Sequence, residues 1–302
     1  MKARVLKAAG TWNVVQTASG EIVKARLRGK LRLQKFKSNN PIVVGDWVEL
    51  SQKEEDWIIQ SIFPQDNTIK RKSKQIGKQV QPLAANLDQV VVLASLKQPR
   101  TSIGFLDRIL VSAEINKIDV CILFNKKDLL SVSEVKTVQK ICDEYKKIGY
   151  PSALISVKKR EGIEEVSKIL QGKLNLLIGH SGVGKSSLVN VLDISQRRKT
   201  GEISDVHQKG RHTTTLAELL FLKKENILLI DAPGIKEFGL TDIKKEQLKF
   251  AFPEFKSLQN KCKFSNCLHV NEPECKVKLA VENQVVLERR YHYYLELLNE
   301  LI

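Results

Sequence analysis

The chain has 302 residues, 42% hydrophobic content and a formal charge of +16, enough for two or three domains with packed cores. No run approaches the roughly 18 apolar residues of a membrane-spanning helix, and Met1-Lys2-Ala3-Arg4-Val5 leads into no apolar signal core, so secretion is disfavoured and the cytoplasm is expected. Five cysteines, three of them clustered near His269, suit a reducing compartment with one metal site better than a disulfide frame.

The first elements in chain order are short strands: Trp12–Gln16, Glu21–Ala25, Asp46–Leu50 and Trp57–Ser61, with turns at Ser19-Gly20, Asn39-Asn40-Pro41 and Gly45. Trp12, Trp47 and Trp57 are expected in the core. Arg26, Arg28, Lys30, Arg32, Lys35 and Lys37 crowd one stretch around Phe36. This pattern fits a small OB-type barrel that binds oligonucleotides, although an SH3-like barrel would read similarly. The first 80 residues hold 16 Lys/Arg against 7 Asp/Glu, whereas residues 241–302 hold 10 against 9. Such concentrated charge favours a polyanion; the bland alternative is a solvated, solubilising face. No basic amphipathic helix supports a membrane surface as the partner. Lys70-Arg71-Lys72-Ser73-Lys74 through Pro82 reads as a basic linker. We therefore expect a barrel over 1–72, a linker over 73–82, a nucleotide domain over 83–240 and a C-terminal domain over 241–302.

Strands and helices alternate beyond Leu83. Leu87–Ala94 and Val120–Phe124 read as strands, as does Ala153–Ser156, and helical spacing runs over Ile103–Ile115, Val132–Ile148 and Ile163–Leu170. That alternation implies a largely parallel α/β sheet. The strand ending at Phe124 delivers Asn125-Lys126-Lys127-Asp128, the Asn-Lys-x-Asp pattern of a guanine-reading loop. The bland reading is a capped helix start with Asp128 as the cap. In the functional reading, Asp128 accepts two hydrogen bonds from guanine, Asn125 braces the loop, and Lys126 lays its alkyl stem over the ring. Ser156, in Ile155-Ser156-Val157-Lys158, would border the base.

A second motif follows. Leu174–Ile178 is a strand-length apolar run, and Gly179-His180-Ser181-Gly182-Val183-Gly184-Lys185-Ser186 leads from it into the helical pattern of Ser187–Leu192. A strand before and a helix after support a phosphate-binding loop over a Gly-rich surface turn. Backbone N–H groups and the helix N-terminus would face the phosphates. Lys185 would neutralise the β and γ oxygens, and the Ser186 hydroxyl would ligate Mg²⁺. Downstream come Gly210-Arg211-His212-Thr213-Thr214-Thr215, with Thr213 or Thr214 available to the metal, and the strand Ile227–Ile230. That strand ends in Asp231-Ala232-Pro233-Gly234. Asp231 would hold Mg²⁺ through a water, and the Gly234 N–H would sense the γ-phosphate. The base-reading motif precedes the phosphate loop, the reverse of the usual order. Loops at the strands' C-terminal ends keep their places when old termini are joined and the chain is cut elsewhere. The order is therefore that of a circularly permuted nucleotide domain.

Near the C-terminus, Cys262, Cys267, His269 and Cys275 form Cys-x4-Cys-x-His-x5-Cys in a short polar segment. Three thiolates and an imidazole suit a structural Zn²⁺; free surface thiols are the poorer reading. Val281, Val285, Val286, Tyr291, Tyr294, Leu295, Leu298 and Leu301 suggest a final helix with an apolar face. Cys121 and Cys142 are expected as packing residues.

With these motifs in hand, nearly the whole chain resembles the ribosome small-subunit-dependent GTPases of the RsgA family, also called YjeQ or YloQ. The resemblance implies an N-terminal OB-fold, a circularly permuted P-loop GTPase and a C-terminal zinc domain. It also implies zinc at the four Cys/His positions, GTP with Mg²⁺, and rRNA and the small ribosomal subunit as partners in late maturation. His212, before the threonines, is the internal candidate to assist hydrolysis by resemblance; a solvent-exposed loop histidine is the even alternative. Ile235 stands where Ras-like enzymes carry the water-orienting Gln, so turnover should be slow alone and need another group or a partner to complete the site. An RNA-binding module with nucleotide as a structural switch remains the second function class. Nothing in the sequence demands a dimer, and a monomer is expected.

Overall fold

Alternation of small or β-branched residues with polar ones closes the N-terminal segment into a barrel. The computed structural model describes residues 1–29, 41–54, 56–72, 80–193, 217–232 and 243–301. Five strands, β1 Lys2–Ala9, β2 Trp12–Thr17, β3 Ile22–Leu27, β4 Trp47–Lys53 and β5 Asp56–Ile62, run in the order β1-β2-β3-β5-β4. β4 returns to β1 through Ala3↔Val48, and β3 pairs with β5 in parallel. That closure order, with its one parallel pair, is the OB arrangement rather than the SH3-like one. Ala3, Val5, Val15, Ala25, Val48 and Ile59 fill the interior.

β1 carries little sequence signal, because its inward residues Ala3 and Val5 are small and its other positions include Lys2, Arg4 and Lys7. Trp12 corrects the expectation of three core tryptophans: it is 43% exposed on the outer face of β2, beneath the Arg26 guanidinium. Trp47 and Trp57 are half-buried. The expected linker over 73–82 also differs at its end. β7 Val80–Ala85 pairs antiparallel with β6 Thr68–Lys72, burying Ile69 and Ala84. The run of basic residues hid that alternation; residues 73–79 lie outside the described residues.

The central domain contains β8 Gln89–Ala94, β9 Asp119–Phe124, β10 Ser152–Leu154, β11 Leu174–Ile178, β12 Glu218–Leu222 and β13 Ile227–Asp231. They are ordered β10-β9-β8-β11-β13-β12, parallel except for the antiparallel β12. β8 and β11 are buried throughout, as strands covered on both faces must be. Leu106, Ile109, Val138 and Tyr145 from α1 Ile103–Ile115 and α2 Val132–Ile148 pack one face. Val166, Leu170, Leu188 and Val189 from α3 Ile163–Leu170 and α4 Lys185–Leu192 pack the other. β12 then pairs antiparallel with β1 at Lys7↔Glu218, making one sheet of eleven strands.

The C-terminal region is helical. The single final helix expected from the sequence is divided into α5 Lys276–Glu282 and α6 Glu288–Glu300. Asn283 caps α5, and Val285 is exposed in the connection, while Tyr291, Tyr294, Leu297 and Leu298 turn inward. They pack with Phe252, Phe255, Cys267, Cys275 and Val111 of α1. Among the described residues, no helix is long and apolar enough to cross a membrane.

Candidate nucleotide pocket and metal centre

The loops after β9 and β11 meet at the C-terminal edge of the sheet, where an open α/β domain places its ligand. Asn125 makes the meeting point. Its backbone N–H donates to the Ala94 carbonyl at 2.8 Å, tying the loop to β8. Its side chain, 4% exposed, donates through Nδ2 to the Val183 carbonyl at 2.9 Å and accepts at Oδ1 from the Val157 N–H at 3.0 Å. One amide thus fastens the phosphate-loop candidate and the Ser156 segment to the Asn-Lys-x-Asp loop, 58 residues from Val183 in sequence.

Lys126 takes the left-handed conformation, φ +67°. Its ammonium donates to the Gly182 carbonyl at 2.8 Å and to the Gln98 carbonyl. Burial lowers the Lys126 pKa, against the opposing pull of Asp128. Lys127 turns outward to Glu161 at 2.8 Å. Asp128 accepts from the Ser156 hydroxyl, which itself accepts from the Lys159 N–H at 3.1 Å. The helix-cap reading of Asp128 fails, because α2 is capped by Ser131 in a reciprocal box with Glu134.

From Ile178 the chain turns through Gly179–Gly184 into α4, whose first residue is Lys185. Gly184 is required on two counts: its φ is +110°, and a Cβ there would lie 2.4 Å from Asn125 Nδ2. Val183 is fully buried, whereas Ser181 and Gly182 face solvent. Ser186 and Ser187 lie half-buried in the first turn of α4. Lys185 Nζ donates to the Gly179 and His180 carbonyls at 2.7 and 3.0 Å. Burial lowers its pKa, against the pull of Asp231 at the end of β13. The His180 ring stacks on Phe105 of α1 at 4.3 Å, and burial followed by the Lys185 charge lowers its pKa. The result is a basic, amide-rich rim over a helix N-terminus, suited to a polyphosphate. His212, Thr213, Thr214 and Gly234 lie outside the described residues.

Phe105 and Gln98 belong to no motif, so the sequence reading missed their part in this site. Their contacts are tertiary, and only the apolar spacing around Phe105 was visible beforehand.

A second cluster lies among the C-terminal helices. One ligand atom from each of Cys262, Cys267, His269 and Cys275 falls within 4.8 Å of the others. His269 Nδ1 faces the sulfurs of Cys267 and Cys275 at 3.3 Å and that of Cys262 at 3.7 Å. The backbone is fitted around this group. His269 has φ +60°; Glu272 accepts from the Leu268 and Val270 N–H groups at 2.6 and 2.8 Å. The Tyr291 and Tyr294 hydroxyls donate to the His269 and Leu268 carbonyls at 2.7 and 2.6 Å. Burial, then the Lys249 charge, pushes the His269 imidazole down to about 4, leaving it neutral, the form that ligates a metal. Four soft or borderline donors converging at this spacing suit a zinc ion. Cys121 and Cys142 are buried as packing residues in the two cores of the central domain.

Comparison with known proteins agrees with this geometry. The RsgA GTPase family model matches residues 62–241, and the RsgA N-terminal domain model matches residues 2–57. The chain belongs to the RsgA GTPase family. A relative from Bacteroides thetaiotaomicron, described as small ribosomal subunit biogenesis GTPase RsgA 2, is 40% identical over 99% of this chain and 97% of its own length. Another from Christiangramia forsetii, described as small ribosomal subunit biogenesis GTPase RsgA, is 39% identical over 99% and 96%. The crystal structure of YjeQ from Thermotoga maritima is similar with TM-score 0.79 and 35% identity over 99% of this chain and 98% of that one. That of YloQ, described as a circularly permuted GTPase, gives 0.76 and 28% over 99% and 94%. As an RsgA-family GTPase, the chain carries a five-stranded barrel, a circularly permuted GTPase domain and a helical region with a Cys₃His cluster.

Proposed function

We propose that this protein hydrolyses GTP to GDP and phosphate while bound to the small ribosomal subunit and its rRNA, assists late maturation of that subunit, and is stimulated by it. The observation that carries the nucleotide part is the Asn125 side chain bridging to Val183 and Val157, which supports a single pocket for base and phosphates. In this reading Asn125, Lys126, Lys127, Asp128 and Ser156 form the guanine end. Gly179 through Ser187 form the phosphate end, with Lys185 countering phosphate charge. Ser186 with Thr213 or Thr214 would hold Mg²⁺, Asp231 would orient it through a water, and Gly234 would sense the γ-phosphate. Held by those residues, Mg²⁺ would supply neutralisation of phosphate charge.

Residues 1–72 act as the rRNA-binding barrel, 83–240 as the GTPase domain and 241–302 as the zinc domain, in a monomeric cytoplasmic protein. The four Cys/His residues would hold one Zn²⁺ that fastens a segment too polar to pack unaided. Ile235 cannot orient water, so His212 or a group of the subunit completes the site. The test is GTP turnover with and without purified small subunits at two salt concentrations. Strong stimulation that falls with salt is expected; turnover indifferent to subunits refutes the proposal.

A further inference from the structure

Six strands place one residue each on a single row between the phosphate loop and the outside of the barrel. Leu177, two residues before Gly179, pairs with Asp231. Asp231 pairs with Glu218, and Glu218 with Lys7 of the barrel. Lys7 continues to Val14, and Val14 to Lys24, exposed on the barrel surface. Glu218 is therefore the register partner both of the aspartate at the nucleotide site and of the first barrel strand.

β1 is shaped for this junction. A register shift between Val5 and Lys7 separates two duties along the strand. Before it, Ala3 and Val5 fill the barrel; Leu6, at the shift, packs against the central core that contains Leu219 and Ile230, and Ala8, after it, packs against both cores. A second seam holds the barrel nearby: the Ala85 N–H donates to the Val44 carbonyl at 3.0 Å, and Asn86 Nδ2 donates to the Gly45 carbonyl at 3.1 Å. With the barrel fastened on both sides, a displacement of β12 has to be absorbed by β1, since hydrogen-bonded strands move as packed units.

Resting on the nucleotide and subunit roles proposed above, we infer that the Lys7–Glu218–Asp231 row couples nucleotide state to the barrel. The state sensed at Asp231 sets the barrel's grip on the small subunit, and engagement of the barrel acts back on Asp231. The two directions are one coupling free energy, because linkage between binding events is reciprocal. β12 is thus a positioning strand, with Lys7 and Glu218 as its positioning residues.

The experiment has two arms on the full chain. In the first, amide hydrogen exchange is followed without nucleotide, with GDP and with a non-hydrolysable GTP analogue. Protection of Lys2–Ala9 and Glu218–Leu222 is expected to change with nucleotide, while that of helix α5 Lys276–Glu282, which pairs with neither strand, stays constant. In the second arm, small-subunit affinity is measured in the GDP and analogue states for the wild type, Lys7→Glu, Glu218→Lys and the double exchange. Coupled sites differ by about 5- to 150-fold. That ratio should fall to within about twofold of unity in each single variant and recover in the double exchange, which again sets opposite charges at the two register-paired positions. A purely structural role would lower stability and both affinities together, leaving the ratio intact. Nucleotide-independent protection of β1, or an unchanged ratio in both single variants, overturns the inference. If β1 responds to nucleotide but the wild type does not bind subunits, the functional proposal fails while the coupling through β12 stands.

Discussion

In the proposed pocket, Asp128 carries the choice of base. Its carboxylate, turned toward Ser156 beside the loop that Asn125 fastens, can accept from both the N1–H and the exocyclic amine of guanine. Asp128→Asn exchanges an acceptor for a donor, which suits xanthine. Leaving one partner unsatisfied costs about 1–3 kcal/mol, so GTP affinity should fall by about one to two orders of magnitude while xanthosine triphosphate gains. Competition between the two nucleotides measures this, and an unchanged preference for GTP would remove Asp128 from the base site. At this scale the sequence was informative wherever chemistry demands a particular residue at a particular spacing. Asn125 and Lys185 were visible for that reason. The His180–Phe105 stack was not, because α1 meets the phosphate loop only through the fold.

Among elements, the turn before β4, which hydrogen-bonds to β7 through Val44, contains a titratable group. Asp46 accepts from the Val43 N–H at 2.8 Å and from Gln65 Nε2 at 2.7 Å. Burial pushes its carboxyl up to about 6 despite these bonds, which pull it down. Because the folded value exceeds that of a free carboxyl, this contribution to stability is fully present below about pH 4 and is lost as pH rises toward 6. In Asp46→Asn the amide oxygen can still accept from Val43. The variant's stability relative to wild type should therefore rise between about pH 4 and 6 and level off above. Urea midpoints across that range test it, and a pH-independent difference would discount Asp46.

The Cys/His region gives a second prediction at the same scale. Zinc-loaded protein should show no thiol reactive toward a disulfide reagent. A strong chelator should release three, because Cys121 and Cys142 are buried and only Cys262, Cys267 and Cys275 belong to the cluster. Five reactive thiols after chelation would mean that the core opens as well. The cluster was legible as spacing, but the division of the final helix was not. Helical periodicity persists across 283–287, and only packing decides that Val285 faces outward.

Across the whole molecule, the helical region is locked to the GTPase domain by buried charge. Arg290 is fully buried, donates to Glu254 at 2.7 and 3.1 Å, and donates to Asp107 of α1 at 3.0 Å. Burial would pull its pKa down, but Glu254 and Asp107 carry it up. The Tyr145 hydroxyl donates to the same Asp107 oxygen at 2.9 Å, and Arg289 reaches Glu144 at 3.0 Å. Removing Arg290 strands Glu254 and takes from Asp107 its nearest cation, so Arg290→Met should cost about 3–5 kcal/mol. Adding Asp107→Asn and Glu254→Gln should recover part of that loss. Denaturant midpoints read both, and a cost below 1 kcal/mol would deny the lock. None of this network was legible, since its members stand 36 and 183 residues apart and carry no motif. The domain order and the permutation were legible, because each loop stayed on its own strand while the chain was cut elsewhere.

Joining the barrel to the central sheet also decides how the protein meets its own copies. Exposed strand margins invite neighbouring chains to add on. Among the described residues, β4 closes back on β1 and β1 meets β12 only at Lys7↔Glu218, so the margins of the eleven-stranded sheet are β10, Ser152–Leu154, and the remainder of β12. Margins this short are poor templates for further pairing, so copies held close together should not polymerise through their sheets.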